Sequence, residues 1–287
     1  MINRLWPILA ALLLPACSPE PIPAEPALWE VTGDKGERAW LFGTVHSLET
    51  PVDWRSAKVD AAMDQADLLM VEIADLEDSA RISKTFSSLA TSPGHPPLSR
   101  RVAAQDRKPL ERMLDRHGFS DNDFANVETW AVALTLAQAE TRGSRKEYGV
   151  DLAVLDAMDG KPVRELEGAQ RQLSIFDALP ESEQRDLLAA IVSDASGLDA
   201  ESKTLAEAWR GGDMALIERE TETGLLADPE LRAALLTNRN VAWSKRIETV
   251  MESGARPFVA VGSAHMAGKE GLPALLTGNG FKVTRVQ

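Results

Sequence analysis

Two of the four histidines follow a glycine by three residues: Gly43-Thr44-Val45-His46 and Gly262-Ser263-Ala264-His265. Each glycine ends or adjoins an apolar run that reads as a strand, RAWLFGTV over 38–45 and PFVAVG over 257–262. Glycine at a strand end lets the backbone turn sharply or lets a ligand approach closely. In open α/β sheets, ligands gather beyond the carboxyl ends of the strands. A third run, LLMVEI over 68–73, carries Glu72 near its end. A carboxylate inside an apolar strand is costly unless it is paired or bound. If these strands are parallel neighbours, His46, Glu72 and His265 converge on one cleft. Two imidazoles and a carboxylate form a usual ligand set for a transition metal, and equally a base–acid group for hydrolysis. A plainer reading stands beside this one. Each histidine is then a hydrogen-bonded strand-end residue, and Glu72 pairs with an arginine such as Arg239.

The elements that must position these groups follow from pattern. ALWEVTG (27–33) and RAWLFGTV (38–45) flank Asp34-Lys35-Gly36 and predict a hairpin. Thr50-Pro51 reads as a helix start, with Thr50 as N-cap and Val59, Met63 and Ala66 on one face. From about 78 to 253 helical patterns dominate, over 127–142, 150–159, 181–195, 200–211 and 229–252. Gly143, Gly160, Gly197 and Gly254 follow such stretches as C-caps. One strand, PVRELE over 162–167, interrupts them; a helix over 270–278 and a strand FKVTRV over 281–286 close the chain. Strands at both ends with helices between predict one α/β domain over 28–287. Its central mixed sheet would be formed by N- and C-terminal strands and carry a large helical insertion. The remaining histidines read as a helix cap before Gly118 (His117), where an imidazolium suits the helix dipole, and a solvated loop residue (His95). The seven tryptophans read as core.

Residues 1–16 read as a signal peptide: Arg4, then an apolar run Leu5–Leu14 too short to span a bilayer. Leu14-Pro15-Ala16-Cys17 resembles a bacterial lipobox, and Cys17 is the only cysteine. Residues 17–27 then read as a lipid-attached tether, with four prolines in Ser18–Pro26. The expected location is that of an exported, membrane-anchored lipoprotein facing the periplasm or the cell exterior. Net charge is -13 over 287 residues, with no basic stripe, so nucleic acid is excluded as a partner. An acidic surface also leaves membrane attachment to the lipid on Cys17. There is no P-loop, no Gly-x-Ser-x-Gly and no His-Glu-x-x-His, which sets aside three common hydrolase types.

The paired Gly-x-x-His motifs do not stand alone. With them come Val71-Glu72, Tyr148-Gly149-Val150-Asp151, Gly160-Lys161-Pro162-Val163, Leu166-Glu167, Trp209 with Gly212-Asp213, and Arg239-Asn240. In this order the chain resembles the TraB/PrgY/GumN family from residue 28 onward. That family is similar to the Tiki proteins, which are membrane-tethered metal-dependent proteases acting on Wnt. The resemblance implies His46, His265 and Glu72 as metal ligands, with Glu72 either a ligand or the general base. It implies Arg239 as a catalytic residue that stabilises a carboxylate or oxyanion, and supporting roles behind the ligands for Asp151 and Glu167. The implied activity is a metal-dependent hydrolase, a peptidase using manganese, cobalt or zinc on an exported peptide or envelope protein. Two alternatives remain. The chain resembles haem-binding ChaN-like lipoproteins in arrangement, with Tyr148 and either histidine as axial ligands, and it resembles relatives that sequester a peptide without turnover. For the leader, mass spectrometry of the mature chain is expected to show residues 1–16 missing and lipid on Cys17. An intact leader or a free Cys17 thiol would overturn that expectation.

Overall fold

The computed structural model describes residues 19–140, 145–193 and 198–287. The leader and Cys17 lie outside the described residues, as do Gly143 and Gly197. Among the described residues there are eight strands. They are β1 (Ile22–Pro23), β2 (Leu28–Thr32), β3 (Arg38–Thr44), β4 (Val52–Asp53), β5 (Leu68–Val71), β6 (Val163–Glu165), β7 (Pro257–Gly262) and β8 (Lys282–Arg285). β1 and β4 form a small parallel pair, and the other six form one sheet in the order β6-β5-β7-β3-β2-β8. The first four of that order are mutually parallel, while β2 runs antiparallel to both β3 and β8. The sheet is therefore mixed, as the hairpin and the buried runs predict.

Side chains alternate across this sheet with the period of two that a pleated strand imposes. Phe42, Leu69, Val71, Phe258 and Ala260 enter one hydrophobic core, while Leu41, Leu68, Met70, Val259 and Val261 enter a second on the opposite face. Both faces are covered, which is why these strands read as unbroken apolar runs. A third core lies inside the helical insertion, around Leu98, Leu110, Trp130, Leu136, Leu187 and Val192. The insertion thus packs largely on itself as well as on the sheet.

Five local expectations need correction. The helix expected from Pro51 begins at Ala57, because Val52 and Asp53 pair with Ile22 and Pro23 and so stay extended. Ser56 takes the capping role, its hydroxyl accepting the Val59 N–H at 3.2 Å. The proline-rich tether is extended but docked: Ile22 N–H donates to Pro51, Ala24 N–H to Asp53 and Glu25 N–H to Arg210, and Ala24 is buried. The single helix expected over 229–252 contains a π-helical turn, Ala233–Thr237, just before Arg239. His95 is not solvated, since its side chain is 16 % exposed and lies 2.8 Å from the Ser92 hydroxyl. At the other helix end Gly118, at φ 72°, makes the cap, and His117 turns inward onto Glu140 at 2.8 Å.

Lys161 ties the segment before β6 to the helix before β5. Its ammonium donates to the carbonyl oxygens of Met63, Asp64 and Ala66, the last turn of the helix Ala57–Gln65. That cation sits at the negative end of the helix, where the unpaired carbonyls need donors. Lys161→Met removes all three bonds and is expected to cost about 1.5–3 kcal/mol of stability, the value typical of hydrogen bonds to a charged group. Chemical denaturation checks this; an unchanged midpoint would show that water replaces the ammonium without loss.

Candidate functional site

Four adjacent parallel strands end on the same side of the sheet, and each delivers a polar residue there. β3 leads to His46, β7 through Gly262 to His265, β5 to Glu72 and β6 to Glu167. The register Thr44↔Gly262 and Val71↔Ala260 sets these ends beside one another. His46, Glu72, Arg239, Gly262 and His265 line one cleft of about 470 Å³. The convergence expected at the strand ends is therefore what the fold builds.

Glycine permits a close approach at two points. A Cβ on Gly43 would lie 3.1 Å from the Ser263 backbone, so a side chain there would push the loop carrying His265 outward by a few tenths of an ångström. A Cβ on Gly149 would lie 2.2 Å from the His46 carbonyl oxygen, where Val150 N–H meets Val45. That approach brings Asp151 under His46. The His46 Nδ1 lies 2.7 Å from one Asp151 carboxylate oxygen, and the Thr44 hydroxyl donates to the other. Nε2 is left facing the cleft, about 4.0 Å from where a Gly262 Cβ would stand. The ring is open to solvent, at 74 % side-chain exposure. The Asp151 charge raises the His46 pKa to about 9, so without a competing ligand the ring is an imidazolium at neutral pH.

His265 has the opposite surroundings. It is buried, with Trp243 against its face at a centroid distance of 4.4 Å. Asn240 orients it. The Asn240 amide N–H donates to the Glu270 carbonyl, so its Oδ1 must accept from His265 Nδ1 at 2.6 Å. That fixes the proton on Nδ1 and leaves the Nε2 lone pair in the cleft. Burial lowers the His265 pKa to about 4, so the ring is neutral at pH 7.

Glu72 and Glu167 share Arg239. The guanidinium reaches Glu72 Oε2 at 2.7 Å and Glu167 Oε2 at 2.9 Å, its Nε donates to both Glu167 oxygens at 3.1 Å, and one N–H goes to Leu235. Its last contact is His265 Nε2 at 3.3 Å. All five N–H groups are thus engaged, and Arg239 can meet an oxyanion only by releasing a protein acceptor. Glu72 also accepts the Gly262 N–H at 2.9 Å and the Gln172 side-chain amide at 3.3 Å. Burial alone would raise the Glu72 pKa, but the charges of His265, Arg239 and His46 and the Gly262 bond hold it at about 2. The plainer expectation that Glu72 pairs with Arg239 is realised inside the cleft rather than instead of it.

Gln172 and Trp243 belong to the site without having been singled out for it. Gln172 comes from the helix Ala169–Asp177 and carries no local signal. Trp243 is core as expected, yet its indole N–H donates to Glu167 at 3.1 Å. Tyr148 is not brought in. It packs against the sheet core, its hydroxyl accepts from Arg145 at 3.2 Å, and it does not line the cleft. A Tyr–His axial pair for haem is therefore not assembled.

Both histidines present Nε2 to the cleft with Nδ1 held by an outer partner, the arrangement that metal-binding histidines use. Glu72 accepts three hydrogen bonds where a carboxylate offers about four lone-pair sites, so one site is left. The three ligand atoms do not all lie within 4.8 Å of one another, and Arg239 holds the His265 lone pair. The donor types and their outer partners suit a metal, and binding one would need three changes: Arg239 releasing His265, His46 losing its Nε2 proton, and the three groups drawing closer. Among the described residues, an acidic trio, Glu183, Asp228 and Glu230, does meet the 4.8 Å spacing, but it lies partly exposed and away from the cleft.

These features define a class of protein. The TraB/PrgY/gumN family model matches residues 27–285, and the chain belongs to that family. It is 26 % identical over 264 residues to the uncharacterized protein YbaP of Shigella flexneri, covering 86 % of this chain and 90 % of that one. It is 27 % identical over 253 residues to the uncharacterized protein YbaP of Escherichia coli strain K12, covering 82 % and 86 %. No solved structure matches significantly. Among the described residues, no helix is long and apolar enough to cross a membrane.

The two histidines are expected to titrate at opposite ends of the pH range. In metal-free protein, ring 15N NMR should place His46 near 9 and His265 near 4. Because folding lowers the His265 pKa, its contribution to stability is complete above about 6.5 and is lost as pH falls toward 4. Because folding raises the His46 pKa, its contribution is complete below about 6.5 and is lost as pH rises through 9. A His265 titrating near 6.5 would show that burial and the neighbouring positive charges of Arg239 and His46 do not hold it neutral.

Proposed function

We propose that the cleft is the active site of a metal-dependent hydrolase that cleaves an amide or ester bond in an exported peptide or envelope protein. The observation that carries this reading is the pair of Nε2 atoms facing one cleft, each with its Nδ1 held from behind by Asp151 or Asn240. A divalent transition metal (zinc, manganese or cobalt) would be held by His46 and His265 through Nε2 and by Glu72. When bound, it would polarise the carbonyl and lower the pKa of its water.

The chain's own groups set up the rest. Asp151 keeps Nδ1 of His46 protonated and so directs Nε2 outward. Asn240 does the same for His265. Glu72 suits the ligand role better than the base role, since a carboxylate held at about 2 is a weak proton acceptor near neutral pH. Arg239 aims Glu72 and neutralises it before a cation arrives. Gly262 leaves the space between the two imidazoles open, because any Cβ there would stand 3.3 Å from Glu72 Oε1. Export and acylation at Cys17 remain part of this reading. They would set the domain on the outer side of a membrane, where an exported substrate is met.

Metal analysis and peptide-library cleavage test the proposal together. Cleavage should require added metal and fall by at least about 100-fold in His46→Ala, Glu72→Ala and His265→Ala. Asp151→Asn should weaken metal affinity by about 10–100-fold, as loss of an outer partner does. No cleavage by folded, metal-loaded protein across a broad library would replace this reading with that of a peptide-binding protein.

A further inference from the structure

The cleft has two unlike sides. The strand ends and Arg239 supply its charged and titratable groups, while the helices of the insertion supply uncharged residues. Ile191, Leu205 and Leu225 are the large apolar ones, Gln172, turned onto Glu72, and Ser202 are polar but uncharged, and Ala137, Ala190 and Ala206 are small and leave depth between them. Neither Lys, Arg, Asp nor Glu lines the helical side. The wall is firmly backed. Leu205 and Ala206 pack on the sheet core, and Trp209, one turn on, donates its indole N–H to Gly43 at 2.7 Å. Ile191 and Leu225 belong to the separate core of the insertion.

We infer that this helical side is a subsite for an apolar side chain of an extended, peptide-like substrate, seated next to the bond that is cut. The inference rests on the hydrolase reading and names the substrate class for that site. Three physical points carry it. A charged side chain here would lose its water and find no opposite charge on the wall, which is costly. The cations of the cleft are already matched, Arg239 by Glu72 and Glu167 and His46 by Asp151. A cleft of about 470 Å³ lies in the range that holds a small molecule or a few residues, so a folded protein surface would not enter it. The polar side then meets the backbone carbonyl, and the alanines set how large the apolar side chain can be.

The test uses blocked hexapeptides, acetyl-Gly-Gly-X-Gly-Gly-Gly-amide, with X as Gly, Leu, Phe, Asp or Lys. Turnover is measured on the metal-loaded wild-type chain, and binding is measured by calorimetry on His46→Ala. Leu and Phe should exceed Gly on the order of tenfold or more, the discrimination that an apolar pocket gives, and Asp and Lys should fall below Gly. Ala190→Leu, which fills the pocket, should collapse the Phe-to-Gly ratio toward one. Leu225→Ser should lower it as well, so the result does not hang on one variant. An unchanged ratio in both variants, a preference for Asp or Lys, or no binding of any peptide overturns the inference. Tighter binding of Leu and Phe without turnover keeps the subsite and removes the hydrolase. Turnover without preference keeps the hydrolase and removes the subsite.

Discussion

The clamp of Arg239 on Glu72 and Glu167 is the interaction on which the site depends. Three charges stand together at the ends of β5 and β6, with side-chain exposures of 5–10 %. Taking each from water costs several kcal/mol, and the cost is offset only when geometry and extra hydrogen bonds are good. Here they are: each carboxylate has further donors, Gly262 and Gln172 for Glu72 and Trp243 for Glu167. Such a group contributes less net stability than definition of position. Remove one member and an uncompensated charge is left in the interior.

The clamp also explains how distant parts of the chain are held in register. Arg239 follows the π-helical turn Ala233–Thr237, and such turns mark functional sites more often than ordinary helix does. The next residue, Asn240, reaches His265 and Glu270. One helix start thus fixes a carboxylate from β5, a carboxylate from β6 and an imidazole from the loop after β7. Trp243, one turn on, lies under both the guanidinium, at 4.6 Å, and the His265 ring.

The two histidines of matching sequence motif end in unlike states. His46 is exposed and charged by Asp151, while His265 is buried and neutral. The Gly-x-x-His spacing alone carries no hint of this difference, because it is made by residues far along the chain.

Local pattern determined much of this protein. Apolar runs marked the central strands, since strands buried on both faces need no polar alternation. The glycines before His46 and His265 pointed to strand ends, and the isolated Glu72 pointed to a buried partner. Tertiary structure decided the rest. β1 pairing with β4 overrode the helix signal at Thr50-Pro51 and docked the proline-rich segment. The five-fold engagement of Arg239, the entry of Gln172 and the exclusion of Tyr148 all depend on contacts between residues roughly 70–170 positions apart or on packing direction. A residue's type limits which bonds it can make. Which bonds it does make is set by the neighbours that the packed sheet and helices bring within about 3 Å of it.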